Sequence, residues 1–165
     1  MKTLLLLRHA KSSWSDPTLP DHDRPLNKRG IHDAPRMGKL LRHEDLIPDL
    51  ILSSTAVRAK KTAELVAKAC KYKGEISLNR SMYTSEVAGY FKILEDLSDR
   101  HNTVLLVGHS PSVEQTIEMV TNSLDILMPT CALAHIRLLI EDWVELNRQK
   151  IKGQLVKVWR PKELF

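Results

Sequence analysis

Four leucines in a row, Leu4 to Leu7, make the first apolar run, and Arg8 and His9 end it. A continuous apolar run this short reads as a strand buried on both faces. A cation and an imidazole then stand at its carboxyl end. Residues 10–27 are rich in Ser, Asp and Pro and read as a loop; loops this long are often functional. Helical spacing begins after Asn27, a predicted N-cap. Ile31, Ala34, Gly38 and Leu41 share one face, and Pro35 is expected to kink or restart that helix. "DLILSS" (Asp49 to Ser54) predicts a second strand. Ala59, Ala63, Val66, Ala67 and Cys70 stripe a second helix, which Gly74 is expected to end. "EISL" predicts a third strand, and Val87, Phe91 and Leu94 a helix running to Asp99. "TVLLV" (Thr103 to Val107) is the clearest strand after the first. "GHSP" follows it and opens a helix carrying Val113, Ile117 and Val120, with Pro111 at its first position. "ALAHIRLLI" and "QLVKVW" read as a late antiparallel pair joined by a polar turn region.

Strand and helix alternate four times before this final hairpin. That order predicts an α/β fold: a three-layer sandwich with a mostly parallel central sheet, helices on both faces and an antiparallel C-terminal hairpin. No repeat or linker interrupts the 165 residues, so one domain spanning 1–165 is expected. In such sheets ligands bind beyond the carboxyl ends of the strands.

The composition narrows the function classes. With 42% hydrophobic but only 5% aromatic residues, aliphatic side chains must build the core. The 25 Lys and Arg against 20 Asp and Glu give a net charge of +5, which favours a solvated basic surface or an anionic ligand. The cations are spread along the chain, with no basic block interleaved with aromatics, so nucleic acid is not an expected partner. Cys70 and Cys131 form no metal or redox motif and suit a reducing compartment. Four apolar residues broken by Arg8 are too few for a signal-peptide core, and no run is long enough to span a membrane. A cytoplasmic protein without a membrane partner is expected.

Three predicted strands end in chemistry. Arg8 and His9 follow the first. "SSTAVRAKKTA" follows the second, with Arg58 in the first turn of a helix. Gly108, His109, Ser110 and Pro111 follow "TVLLV". Two arginines and two histidines thus converge on one sheet edge, near helix N-termini that carry unpaired N–H groups. Arginine binds phosphate oxygens bidentately. A neutral imidazole can attack phosphorus, and a second, protonated, can hydrogen-bond the equatorial oxygens of the transition state. Each residue alone is ordinary; the joint placement points to a phosphoryl group.

These segments resemble the histidine phosphatase superfamily, the phosphoglycerate mutase-like fold. "LLLLRHAKSSW" resembles its opening Arg-His motif, with Ala10 where many members carry glycine. "LSSTAVRAKKTAEL" and "VLLVGHSPSVEQ" resemble its second and third motifs. "DHDRPLNKRG" and "WRPKEL" resemble segments of its small SixA-like phosphohistidine phosphatase branch. The resemblance runs in order from Leu4 to Leu164. It implies a metal-independent phosphatase with no cofactor, with His9 as the nucleophile that becomes phosphohistidine and Arg8, Arg58 and His109 as the other catalytic residues, holding the phosphoryl oxygens. Arg24, and Ser110 beside His109, would be substrate-binding. It further implies a phosphorylated protein, such as a histidine-phosphorylated signalling protein, or a small phosphorylated molecule as partner.

Many members place a Glu or Asp after the third strand as general acid, and here Glu86 is the only carboxylate in that stretch. A helix dipole explains a carboxylate in a first helical turn, and that reading is preferred to catalysis. An imidazole leaving group is far less basic than an alkoxide and needs less proton donation. The stretch is also too short for a capping insertion, so an open site suited to a phosphorylated side chain is expected. A phosphatase for small phosphomonoesters, a mutase, and a non-catalytic phosphate-binding module are the alternatives. The intact set of four residues disfavours the last, and the open site disfavours the mutase. Asp16, Asp21 and Asp23 read as turn residues. Trp14 and Trp143 read as packing residues, with Trp14 close enough to the first motif to line the substrate entry. His22, His32, His43, His101 and His135 match no motif.

Overall fold

The computed structural model describes residues 1–84, 86–147 and 153–164. Six strands form one sheet in the order β3-β2-β4-β1-β5-β6. In chain order these are β1 (Lys2–Arg8), β2 (Leu50–Ser54), β3 (Ile76–Asn79), β4 (Thr103–Gly108), β5 (Leu133–Leu138) and β6 (Gly153–Trp159). The pairs β1–β4, β2–β4 and β2–β3 are parallel, whereas β1–β5 and β5–β6 are antiparallel. The helices are α1 (Lys28–His43), α2 (Val57–Cys70), α3 (Ser81–Thr84), α4 (Val87–Glu95) and α5 (Ser112–Thr121), with 3-10 turns at Asp21–Asp23, Trp143–Asn147 and Pro161–Glu163. The expected α/β sandwich with its antiparallel C-terminal pair is the fold observed. The turn before β6 includes residues 148–152, which lie outside the described residues.

Alternation along β1 builds the three layers. Leu4 and Leu6 pack with Tyr90, Leu94, Val113, Ile117 and Trp143 on one face of the sheet. Leu5 and Leu7 pack with Ala34, Met37, Ala59, Ala63 and Val66 on the other. All four leucines are fully buried, each contributing about 1.5–3 kcal/mol of apolar burial. The run is continuous because both faces are covered. Gly38 lets α1 approach α2: a Cβ there would stand 2.6 Å from the Ala69 Cβ and as close to the Val66 carbonyl.

Several local expectations shift. Asn27 caps α1, its side chain accepting from the Gly30 N–H at 2.9 Å. The helix runs unbroken through Pro35. The carbonyl that loses its partner there belongs to Ile31, which is 50% exposed, so solvent can serve it. Ile31 itself is off the buried stripe, which runs through Gly30, Asp33, Ala34, Met37, Gly38 and Leu41. Helix α2 ends before Gly74, at Lys71, whose φ of 63° is left-handed. The N–H of Lys71 turns back to the Ala67 and Lys68 carbonyls in a helix-ending pattern. Helix α4 stops at Glu95 rather than Asp99, because Asp96 closes it on the Lys92 and Leu94 carbonyls. Pro111 stands just before α5, which begins at Ser112. Among the described residues no helix is long and apolar enough to cross a membrane.

Candidate active site

Parallel pairing brings the carboxyl ends of β1, β2 and β4 to one edge. Arg8 stands in register with Gly108, and the next residue, His9, donates its backbone N–H to the Gly108 carbonyl at 2.9 Å. From the other side, the Cys131 N–H donates to the carbonyls of Arg8 and His9, at 3.1 and 3.0 Å. The backbone at the first motif is therefore pinned on both flanks.

The His9 ring is buried, and its Nδ1 lies 2.8 Å from the Ala10 carbonyl oxygen. A carbonyl only accepts, so Nδ1 carries the proton and Nε2 keeps its lone pair. Burial lowers its pKa to about 3, against the opposing Ala10 carbonyl and with help from the charges of His109, Arg58 and Arg8. His9 is a neutral imidazole at physiological pH.

His109 follows β4 directly. Its backbone N–H donates to the Tyr90 hydroxyl at 3.0 Å, and its Nε2 lies 2.8 Å from Ser54 Oγ. Burial lowers its pKa to about 4, aided by Arg58, so this second imidazole is neutral at physiological pH and not protonated as expected. The rings of His9 and His109 are 5.1 Å apart.

Arg58 enters from the first turn of α2 and Arg8 from the end of β1. Both guanidinium groups keep a buried Nε–H with no hydrogen-bond partner among the described residues, which is uncommon for a buried donor. Arg8 Nη1 donates to the Met128 carbonyl at 3.0 Å. Arg24 donates to Ser12 Oγ at 2.8 Å and to Asp21 Oδ1 at 3.2 Å, and its guanidinium lies 3.5 Å over the Trp14 ring.

These side chains line a cavity of about 460 Å³, together with Lys11, Ser12, Trp14, Asp21, Tyr83, Ser110 and Thr130. Among the described residues, Arg8, Lys11, Arg24 and Arg58 face a single lining carboxylate, Asp21, so the cavity favours an anion. A larger cleft, about 590 Å³, runs beside Arg36, Lys39 and Trp159. It holds neither strand-end histidine, so the chemistry lies in the smaller one. Among the described residues no three His, Cys, Asp or Glu side chains group as metal ligands.

The structure brings Arg8, His9, Arg24, Arg58, His109 and Ser110 into one cavity. The Ser110 hydroxyl donates to Glu114. Glu86 is not among the lining residues: it is exposed and stands at the N-cap of α4. Trp14 stands at the cavity, 72% exposed, whereas Trp143 is fully buried. Sequence reasoning missed four contributors: Ser54, Tyr83, Tyr90 and Asp21. Asp21 accepts from Arg24, from Arg58 Nη2 at 3.0 Å and from the Tyr83 hydroxyl at 2.8 Å. Burial alone would raise its pKa, but the hydrogen bonds from Tyr83 and Arg58 outweigh that and hold it at about 2. Its place three residues before Arg24 was the available signal.

Comparison with known proteins bears on the family and the fold. Residues 4–80 match the sequence profile of the histidine phosphatase superfamily, branch 1. An uncharacterized chloroplastic protein of Arabidopsis thaliana is 30% identical over 159 residues, covering 87% of this chain and 70% of its own. The crystal structure of a candidate phosphohistidine phosphatase SixA from Agrobacterium tumefaciens is 30% identical, with a TM-score of 0.80 over 97% of this chain and 98% of that one. The protein histidine phosphatase SixA complexed with tungstate shares the fold, with a TM-score of 0.85, 19% identity and 99% of each chain covered.

Proposed function

Since the chain belongs to the histidine phosphatase superfamily, we propose that it hydrolyses phosphoryl groups through a covalent phosphohistidine on His9, and that its substrate is a phosphohistidine carried by another protein. One observation carries the reading. His9 is buried and neutral, its Nδ1 proton is committed to the Ala10 carbonyl, and the free Nε2 belongs to a cavity walled by Arg8, Arg58 and His109.

In the first step Nε2 attacks phosphorus, and the bond to the leaving group breaks. Positive charge builds on the His9 ring, and the Ala10 carbonyl stabilises it through the Nδ1 proton. Arg8 and Arg58 meet the phosphoryl oxygens with guanidinium donors, and His109 adds a further ring. In the second step water attacks the phosphohistidine, the P–N pair returns to Nε2, and phosphate departs. Arg24 and Ser110 help hold the substrate.

The leaving group decides the substrate class. An alkoxide needs a proton as it departs, and Glu86 is exposed and not among the residues lining the cavity. An imidazole leaves far more readily. Trp14 at the exposed rim suits a phosphorylated side chain on a protein surface.

The test compares kcat/KM for the wild type and His9→Ala on a phosphohistidine protein and on p-nitrophenyl phosphate. Turnover of the phosphohistidine by the wild type and a loss of at least ~10³-fold in His9→Ala are expected. Near-normal turnover by His9→Ala sinks the covalent mechanism. Turnover of the phosphomonoester alone makes the chain a small-ester phosphatase, and no turnover of either leaves a phosphate-binding module.

A further inference from the structure

Among the described residues Asp21 is the only carboxylate lining the cavity, and the phosphoryl-transfer steps above do not use it. Three pocket groups hold it in place. Arg24 donates to Oδ1, and Arg58 and the Tyr83 hydroxyl donate to Oδ2. Arg58 also donates to the Asp21 carbonyl, at 2.7 Å. The Tyr83 ring stands edge-on to the rings of His22 and His109, so Asp21 is tied to the same wall as the second histidine.

A carboxylate can accept about four hydrogen bonds, and these three donors leave one position, on Oδ1. The side chain is 49% exposed, so that position can be reached from the cavity. The carboxylate is also a poor proton donor. With its pKa held at about 2, it is ionised at neutral pH. A general acid for an alkoxide it is not. It is an acceptor, and the leaving group it suits is one that already carries a proton.

We propose that Asp21 selects an imidazolium leaving group, its carboxylate accepting the distal N–H of a phosphorylated imidazole so that the ring departs neutral. The inference rests on the phosphohistidine reading of this cavity. The step balances. The substrate ring carries its phosphoryl group on one nitrogen and a proton on the other. His9 Nε2 forms the new P–N bond, and the electron pair of the old one stays on the leaving nitrogen. The leaving ring keeps its distal proton and goes out as neutral imidazole, while Asp21 stays ionised throughout. His9 and His109, with ring centroids 5.1 Å apart, and Tyr83, 5.7 Å from His109, line the same cavity as the carboxylate, and its volume of about 460 Å³ has room for a phosphoryl group and a five-membered ring.

Asp21→Asn is the informative variant. The amide oxygen keeps an acceptor for Tyr83 and Arg58, while its NH2 replaces the acceptor that faces Arg24 and the substrate N–H, and the charge is lost. Its kcat/KM for a phosphohistidine protein is expected to fall ~10²-fold and that for p-nitrophenyl phosphate less than ~10-fold, so the ratio shifts at least tenfold. The second readout is the pH profile of kcat on the phosphohistidine. Rate is lost at high pH as the bound imidazolium deprotonates, and in Asp21→Asn that alkaline limb moves about a unit lower, because no charge holds the proton. The charged and titratable groups around the carboxylate, Arg24, Arg58 and Tyr83, are the same in both proteins. Equal losses on both substrates with an unmoved limb make Asp21 a positioning residue for Arg58 and overturn the proposal. A wild-type profile without an alkaline limb overturns it whatever the variant does. Both of those failures leave the phosphohistidine reading standing. A wild type that turns over p-nitrophenyl phosphate but not phosphohistidine removes that reading, and the role of Asp21 falls with it.

Discussion

The rings of His9 and His109 face each other at 5.1 Å, tilted by 57°, and both are neutral. Burial is the first cause in each case, and the neighbouring guanidinium charges add to it. A pair of uncharged imidazoles beside three arginines is an arrangement that a phosphoryl dianion would complete, and it is one that acid disrupts.

Acid sensitivity follows from the sign of these shifts. Unfolded histidine titrates near 6.5, whereas folded His9 and His109 titrate at about 3 and about 4. Below pH 6.5 the unfolded chain binds protons that the folded one refuses, so stability is full above that pH and falls as pH drops toward 4. The loss reaches the order of a few kcal/mol at the bottom of the window. Asp21 adds its own loss only below about pH 4, as pH falls toward about 2. Thermal melts between pH 7 and 4 are expected to show a falling Tm, and the double variant His9→Gln/His109→Gln a flatter curve. Parallel curves for the two proteins would remove the histidines as the cause.

Much of this was legible beforehand because the strand-end residues are read from two strong local patterns at once. The run Leu4 to Leu7 specifies a doubly buried strand, and Arg8 and His9 then fall at its end whatever the rest of the chain does. Arg58 and His109 follow the same logic at β2 and β4. Asp21 was read as a turn residue, which it also is, since it opens a 3-10 turn. Its contacts with Arg58 and Tyr83 span 37 and 62 residues of sequence, and no local spacing encodes those. Tyr90 was hidden for the same reason. It lies on the apolar stripe of α4 and reads as core, yet its hydroxyl accepts from the His109 N–H.

Gly108 and Tyr90 are predicted to be coupled. A Cβ built at Gly108 would overlap the Tyr90 hydroxyl. Gly108→Ala should therefore push the tyrosine away, orphan the His109 N–H and lower both Tm and kcat. Tyr90→Phe leaves the same N–H without its partner, at a cost of about 1–3 kcal/mol. Denaturant melts of the two single variants and the double variant test the coupling. The double variant should lose less than the sum of the singles, and simple additivity would mean that the two sites are independent.

Glu86→Gln is predicted to leave kcat/KM within about twofold of wild type on both phosphohistidine and p-nitrophenyl phosphate, since its exposed side chain at an N-cap is not among the residues lining the cavity. A drop of tenfold or more on the phosphomonoester, larger than on phosphohistidine, would assign it the general-acid role.

Arg58 provides the sharpest test of the anion site. It spends Nη1 and Nη2 on Asp21 and keeps its buried Nε–H unpaired. A fork of this kind can hold a carboxylate and an oxyanion together, which an ammonium cannot do. Arg58→Ala is expected to raise the Kd for orthovanadate ~100-fold, the upper end for a hydrogen bond to a charged group. Arg58→Lys keeps the charge and loses the planar geometry, so it should recover only part of that loss, about tenfold. Titration calorimetry on the wild type and both variants decides the matter. Full recovery by lysine would mean that charge alone binds the anion. Unchanged affinity in Arg58→Ala would remove Arg58 from the phosphoryl site and leave it only as the clamp on Asp21.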